Sequence, residues 1–123
     1  MEIEILKKYQ NGKFSIIELL TKSKMVYKVL KIIYEKNNKE SAYLGIRKIG
    51  EILGYKNIIS KIVKMLEKEE IIEAKLEKLT KRKPRKVPYL TKKGEILFQQ
   101  AKKRKILILK KRLQRIRKEL SEL

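Results

Sequence analysis

The chain has 123 residues, with 34 Lys or Arg against 14 acidic residues, all Glu, for a net charge of +20. It contains no Cys, His, Trp or Asp, which excludes disulfides, a Cys or His zinc site, and Ser–His or Cys–His nucleophilic catalysis. Its longest apolar run, Ile106 to Leu109, is four residues, far short of a membrane span.

A hydrophobic content of 42% is enough for one modest core at this length. A surface this positive repels itself, so the composition points to a polyanionic partner, nucleic acid first and an anionic membrane surface second. Residues 80–123 hold 17 basic and 3 acidic residues, whereas residues 1–79 hold 17 and 11. The start, MEIEILKK, lacks a signal-peptide pattern, and the expected location is cytoplasmic, associated with the nucleoid. A Lys-, Glu- and Ile-rich chain without Cys fits a thermophile, and equally an AT-rich genome.

In chain order, residues 1–22 read as an N-terminal extension, a short helix or strand. Ile3 and Ile5 alternate as in a strand, while Ile3 and Leu6 fit a helical turn. Asn11-Gly12 marks a turn, and Ser15 is placed to cap a helix over Ile16 to Leu20. Ser23 then opens a clearer helix, with Val26, Val29, Leu30 and Ile33 on one face and Tyr27 and Tyr34 widening it. So wide a stripe predicts burial on two sides. Asn37-Asn38 ends it.

Ile46, Ile49, Ile52 and Leu53 share the next helical face. Gly54-Tyr55-Lys56 interrupts the pattern, and Asn57 is predicted to cap a second helix running to about Glu69, with Ile59, Ile62, Val63 and Leu66 inward. Two short helices across such a turn make a helix-turn-helix. The period then changes to two: Ile72, Ala74 and Leu76 alternate with Glu73, Lys75 and Glu77, predicting a half-buried strand. Val87 to Leu90 can return as its partner, leaving TKRKPRKVP as a basic hairpin loop.

Thr91 caps the final helix, predicted from Lys92 to the end over roughly 48 Å. Ile106, Leu109, Leu113, Ile116, Leu120 and Leu123 recur in steps of three and four, a coiled-coil seam expected to join two copies as a homodimer, preferably antiparallel. Ala101 and Ile108 fall outside the seam beside Leu97 and are expected to face the chain's own core.

The order helix, helix-turn-helix, strand, basic loop, strand, helix resembles the winged helix-turn-helix superfamily. GIRKIGEILGYKNIISKIVKMLEKEEIIEAKL looks like its second and third helices and first wing strand. VPYLTKKGEIL is similar to the Y-x-T-x-K-G turn that joins the second wing strand to the next helix in many bacterial and archaeal regulators. With its C-terminal helix the chain resembles small archaeal winged-helix regulators and chromatin proteins. The resemblance covers residues 23–123 and implies a mainly α fold with a small β-hairpin: a winged domain over 23–91 and a long basic helix over 92–123. The basicity of that helix goes beyond what the resemblance implies.

The expected partner is double-stranded DNA. In the recognition helix, Asn57, Ser60, Lys61 and Lys64 face outward near the start, where side chains reach base edges in a major groove; the bland reading is a solvated face, with Asn57 a cap only. In the wing, Lys81, Arg82, Lys83, Arg85 and Lys86 are expected to neutralise phosphates. No catalytic group, metal ligand, cofactor or small-molecule ligand is readable. Three functions compete: a dimeric regulator or a chromatin-like architectural protein; an RNA-binding protein, for which stacking platforms are few; and a membrane-docking module.

Overall fold

The computed structural model describes residues 2–37, 44–54, 56–77 and 84–123. Helix α1 (Glu2–Gln10) takes the helical of the two patterns open to the first dozen residues. Helix α2 (Ile16–Lys22) starts at a capping box: the Ser15 hydroxyl accepts from the Glu18 N–H while the Glu18 carboxylate accepts from the Ser15 N–H. Such reciprocal bonds satisfy two N–H groups that a helix start otherwise leaves orphaned. Ser23 ends α2 and caps α3 (Lys24–Ile32), whose last turn widens to a π turn over Ile33–Asn37.

The helix-turn-helix is α4 (Ile46–Leu53) and α5 (Lys56–Lys68). Gly54 stops α4 in the left-handed region, φ +78°, a conformation that costs glycine almost nothing. Glu70 takes the same region, φ +60°, where α5 turns into the hairpin. There the Ile71 N–H reaches back to the Leu66 carbonyl. Strands β1 (Ile72–Glu77) and β2 (Arg85–Leu90) pair antiparallel, with Ile72 opposite Leu90 and Glu77 opposite Arg85. Helix α6 (Lys92–Ser121) follows over 30 residues.

One core unites these elements. Leu19 and Leu20 of α2, Val26, Val29, Leu30 and Ile33 from α3 and its last turn, Ile49 of α4, and Ile59, Ile62, Val63 and Leu66 of α5 are all buried, with Ile71, Ile72, Phe98 and Ala101. The wide stripe of α3 is therefore covered on two sides, as its pattern predicts. Its flanking tyrosines clasp Phe98 of α6, with ring centroids 5.3 Å from Tyr27 and 5.1 Å from Tyr34. Lys105 lies 4.2 Å over the Tyr27 ring, and beyond it every residue of α6 is exposed.

Two expectations about burial fail. Leu76 is 73% exposed, because the hairpin has left the core by its fifth residue and alternation alone does not tell how far the core reaches. Ile108 is 41% exposed rather than packed on the body: it shares a face with Ala101, but α6 has by then run past α2 and α3. Among the described residues, no helix is long and apolar enough to cross a membrane.

Candidate nucleic-acid interface

Helix α5 is divided by its own periodicity. At about 100° per residue, Ile59, Ile62, Val63 and Leu66 fall on one side and are buried. Asn57, Ser60, Lys61 and Lys64 fall on the other, and all four are exposed. The structure thus brings together the four residues nominated for the recognition helix. One correction concerns Asn57. The helix begins at Lys56, so Asn57 is its second residue and not its cap. Its amide stands on the exposed face in the first turn, the part of such a helix that enters a groove.

Helix α4 packs across α5 and adds residues that sequence reasoning missed. Arg47 lines a shallow concavity with Ile46, Gly50 and Ser60, beside the exposed start of α5. The Arg47 guanidinium and Lys48 ammonium each lie 3.8 Å from the Glu51 carboxylate. These are exposed contacts of small worth, leaving both cations free to exchange Glu51 for a phosphate. The available signal was the spacing of two basic residues one turn before Glu51.

The wing is anchored by Asn37, which is buried at the end of the π turn. Its amide donates to the carbonyls of Pro88 and Leu44, and its oxygen accepts from the Leu44 N–H at 2.7 Å. One side chain therefore fixes β2 to the segment entering α4. Arg85 and Lys86 are the first two residues of β2, opposite Glu77 and Leu76, and both are exposed. The strand starts two residues earlier than the sequence pattern indicated, which puts these cations on a paired strand instead of in a loop. Lys81, Arg82 and Lys83 lie outside the described residues.

The base of the hairpin explains the Tyr89-Leu90-Thr91-Lys92-Lys93-Gly94 motif. The Thr91 N–H donates to the Ile71 carbonyl at 3.0 Å, and its hydroxyl donates to the Glu70 carbonyl at 2.6 Å and accepts from the Gly94 N–H at 3.0 Å. The Lys93 ammonium donates to the Glu69 carbonyl at 2.9 Å. Tyr89 donates to Glu77 across the hairpin at 2.9 Å, with the Lys75 ammonium 5.4 Å from its ring centroid. These contacts hold the far end of α5, the base of the wing and the start of α6 as one joint.

A groove with room for about 240 Å³ runs between α1 and the flank of α5, lined by Ile3, Leu6, Ile58, Ile62 and Met65 with Lys7, Gln10 and Lys61 among them. Burial first, and then the neighbouring Glu69 carboxylate at the end of α5, push the Tyr9 hydroxyl of α1 up to about 12.

No family model matches the chain, and no curated protein matches it in sequence. Solved structures match in fold. A MarR/EmrR family transcriptional regulator from Acinetobacter sp. ADP1 is 19% identical, covering 100% of this chain and 87% of its own, with a TM-score of 0.57. Apo wild-type MarR from E. coli is 17% identical over 81% of this chain and 64% of its own, TM-score 0.52. Staphylococcus aureus MarR, in complex with salicylate and kanamycin, is 20% identical over 95% and 71%, TM-score 0.54. Together with the element order, the hairpin pairing and the long terminal helix, these matches establish a winged helix-turn-helix fold.

Proposed function

We propose that the chain is a double-stranded DNA-binding protein acting as a dimeric winged-helix transcriptional regulator. The observation that carries this is the exposed face of α5, where Asn57, Ser60, Lys61 and Lys64 stand together opposite the buried stripe. The α5 face enters a major groove, with Asn57 suited to an adenine edge and the lysines to guanine or phosphate. Arg85 and Lys86, with Lys81, Arg82 and Lys83 before them in the sequence, contact the flanking backbone. Two copies join through the exposed Ile106, Leu109, Leu113, Ile116, Leu120 and Leu123, so that two recognition helices address half-sites on one duplex. Solved neighbours in fold, among them regulators from Thermotoga maritima, Rhodococcus and Acinetobacter, are transcriptional regulators, which supports this reading over an RNA-binding one.

Selection of bound sequences from random duplex DNA tests it. A palindromic motif is the expected result. Tight binding without a motif makes the chain an architectural protein, and no binding to duplexes removes the proposal.

A specific observation also favours response to a small anionic effector. The α1–α5 groove combines an apolar wall with Lys7 and Lys61, and Lys61 belongs to the proposed DNA-binding face. A ligand held there would compete with the duplex for that ammonium. Salicylate, which the S. aureus neighbour holds, is the natural first probe, and lowered affinity for the selected duplex is the expected effect.

A further inference from the structure

The recognition helix and wing account for only part of the charge. Residues 102–118 of α6 hold ten Lys or Arg and no Glu, half of the net +20. Lys105 lies over Tyr27 and is half-buried; the other nine cations are exposed, and none of those nine forms an ion pair with a described residue. Nor is the arrangement neutral for the helix. Lys102 and Lys105, Lys111 and Arg115, Arg112 and Arg115, and Arg115 and Lys118 are like charges three or four residues apart, which repel along the helix surface. A seam needs apolar residues; it does not need this cost.

The placement separates these charges from the first DNA-binding surface. Helix α6 follows its cap Thr91, which is bonded to Glu70 and Ile71 just beyond the C-terminal end of α5 and at the base of the hairpin. Asn57 and Ser60 lie at the other end of α5, and Arg85 lies at the other end of β2. From Ala101, the last buried residue, α6 runs on for about 26 Å to Lys118. Around the helix, Arg104, Lys111 and Lys118 recur every seven residues on the side opposite the seam, about 10.5 Å apart. Covering the seam by a second copy therefore leaves this ridge outward.

We infer that the projecting half of α6 is a second duplex-binding surface, so that one dimer holds two DNA segments at once, one on its recognition helices and wings and one along the Arg104–Lys111–Lys118 ridges. This inference rests on the proposed dimeric DNA-binding function. Duplex DNA fits better than a membrane for a geometric reason. A helix lying on lipid would sink its seam and turn this ridge toward water, away from the headgroups, whereas a dimer turns it toward whatever polyanion approaches from outside.

The test is a two-duplex capture assay. One duplex carrying the selected site is immobilised, saturated with protein, washed and offered a second, fluorescent duplex. The wild type is expected to retain the second duplex. R104Q/K111Q/K118Q, all exposed positions given a good helix former, is expected to retain at least tenfold less, with affinity for a single short duplex changed less than twofold and dimer mass unchanged. The salt dependence of second-duplex capture is expected to become shallower by about 2.7 per ridge removed. The inference is overturned if the wild type captures no second duplex, or if the triple variant captures it equally well. It is also overturned if single-duplex affinity falls by the same factor as capture, if duplex RNA displaces the second duplex at lower concentration than DNA does, or if the variant loses only binding to anionic phospholipid vesicles. Failure of the underlying function shows elsewhere: K61A/K64A would then leave the affinity for the first duplex unchanged.

Discussion

The backbone of Gly94 lies so close to Ile71 that a Cβ built on Gly94 would overlap the Ile71 carbonyl oxygen. That oxygen is fixed by the Thr91 N–H and hydroxyl, so it has no room to retreat. In an open helix, Gly94→Ala would gain about 1 kcal/mol from propensity. Here overpacking against backbone, about 1–3 kcal/mol and at the high end for a backbone overlap, wins, and the substitution is expected to lower stability by about 2 kcal/mol net. The midpoint of urea unfolding, read at constant slope, measures it.

Asn37 gives a second mechanical test. Asn37→Ala would strip partners from the half-buried Leu44 N–H and the buried Pro88 carbonyl, at about 1–3 kcal/mol for each buried group left unsatisfied. The expected loss is about 3 kcal/mol. The wing should loosen with it, so amide exchange in β2 is expected to quicken more than exchange in α3. Equal change in both would mean that Asn37 stabilises the fold without holding the wing.

These two contacts show what the sequence can and cannot disclose. The Thr91 cap was legible because its bond to the Gly94 N–H is local; Lys93 and Gly94 were marked only by the turn motif that they resemble, since Glu69 and Ile71 lie far back in the chain. The stripes of α3 and α5 were legible because burial follows helical period. Asn37 was read as a helix stop only, since its bond to Pro88 spans 51 residues and leaves no local pattern. The same limit hid the grip of Tyr27 and Tyr34 on Phe98, and the position of Arg47 beside Ser60. Boundaries misled in a different way. Shifts of two residues turned Asn57 from cap into exposed face and moved Arg85 and Lys86 from loop to strand. The exposure of Leu76 and Ile108 was not legible, because periodicity shows direction without showing where the neighbouring element ends.

The joint between α1 and α5 makes a prediction about pH. The Tyr9 hydroxyl is raised from 10 to about 12, so the folded state favours its protonated form. A group raised in this way stabilises the fold below its unfolded value, and that contribution disappears as pH climbs through the folded one. Between pH 10 and 12 the wild type is expected to lose more stability than Tyr9→Phe, which has no proton there to lose. Parallel curves for the two proteins would contradict a Tyr9 hydroxyl held protonated by its burial between α1 and α5.

The seam predicts oligomeric behaviour. Leu109→Lys with Leu113→Lys places charge on two exposed seam positions, so the fold of each copy is expected to survive. Burial of a Leu is worth about 1.5–3 kcal/mol, and a dimer loses four. The dissociation constant is expected to rise at least about a thousandfold, read as a change from dimer to monomer mass in light scattering. A dimer that persists at micromolar concentration would place the interface elsewhere.

The most direct measurement for the account as a whole is duplex affinity against salt for K61A/K64A/R85A/K86A, four exposed cations on the α5 face and β2. If α5 and the wing grip DNA, affinity falls and the plot of log affinity against log salt becomes shallower by about 3.6 per protomer, while the unfolding midpoint stays put. An unchanged slope and affinity in the folded variant would contradict the claim that these two elements form the DNA-binding surface.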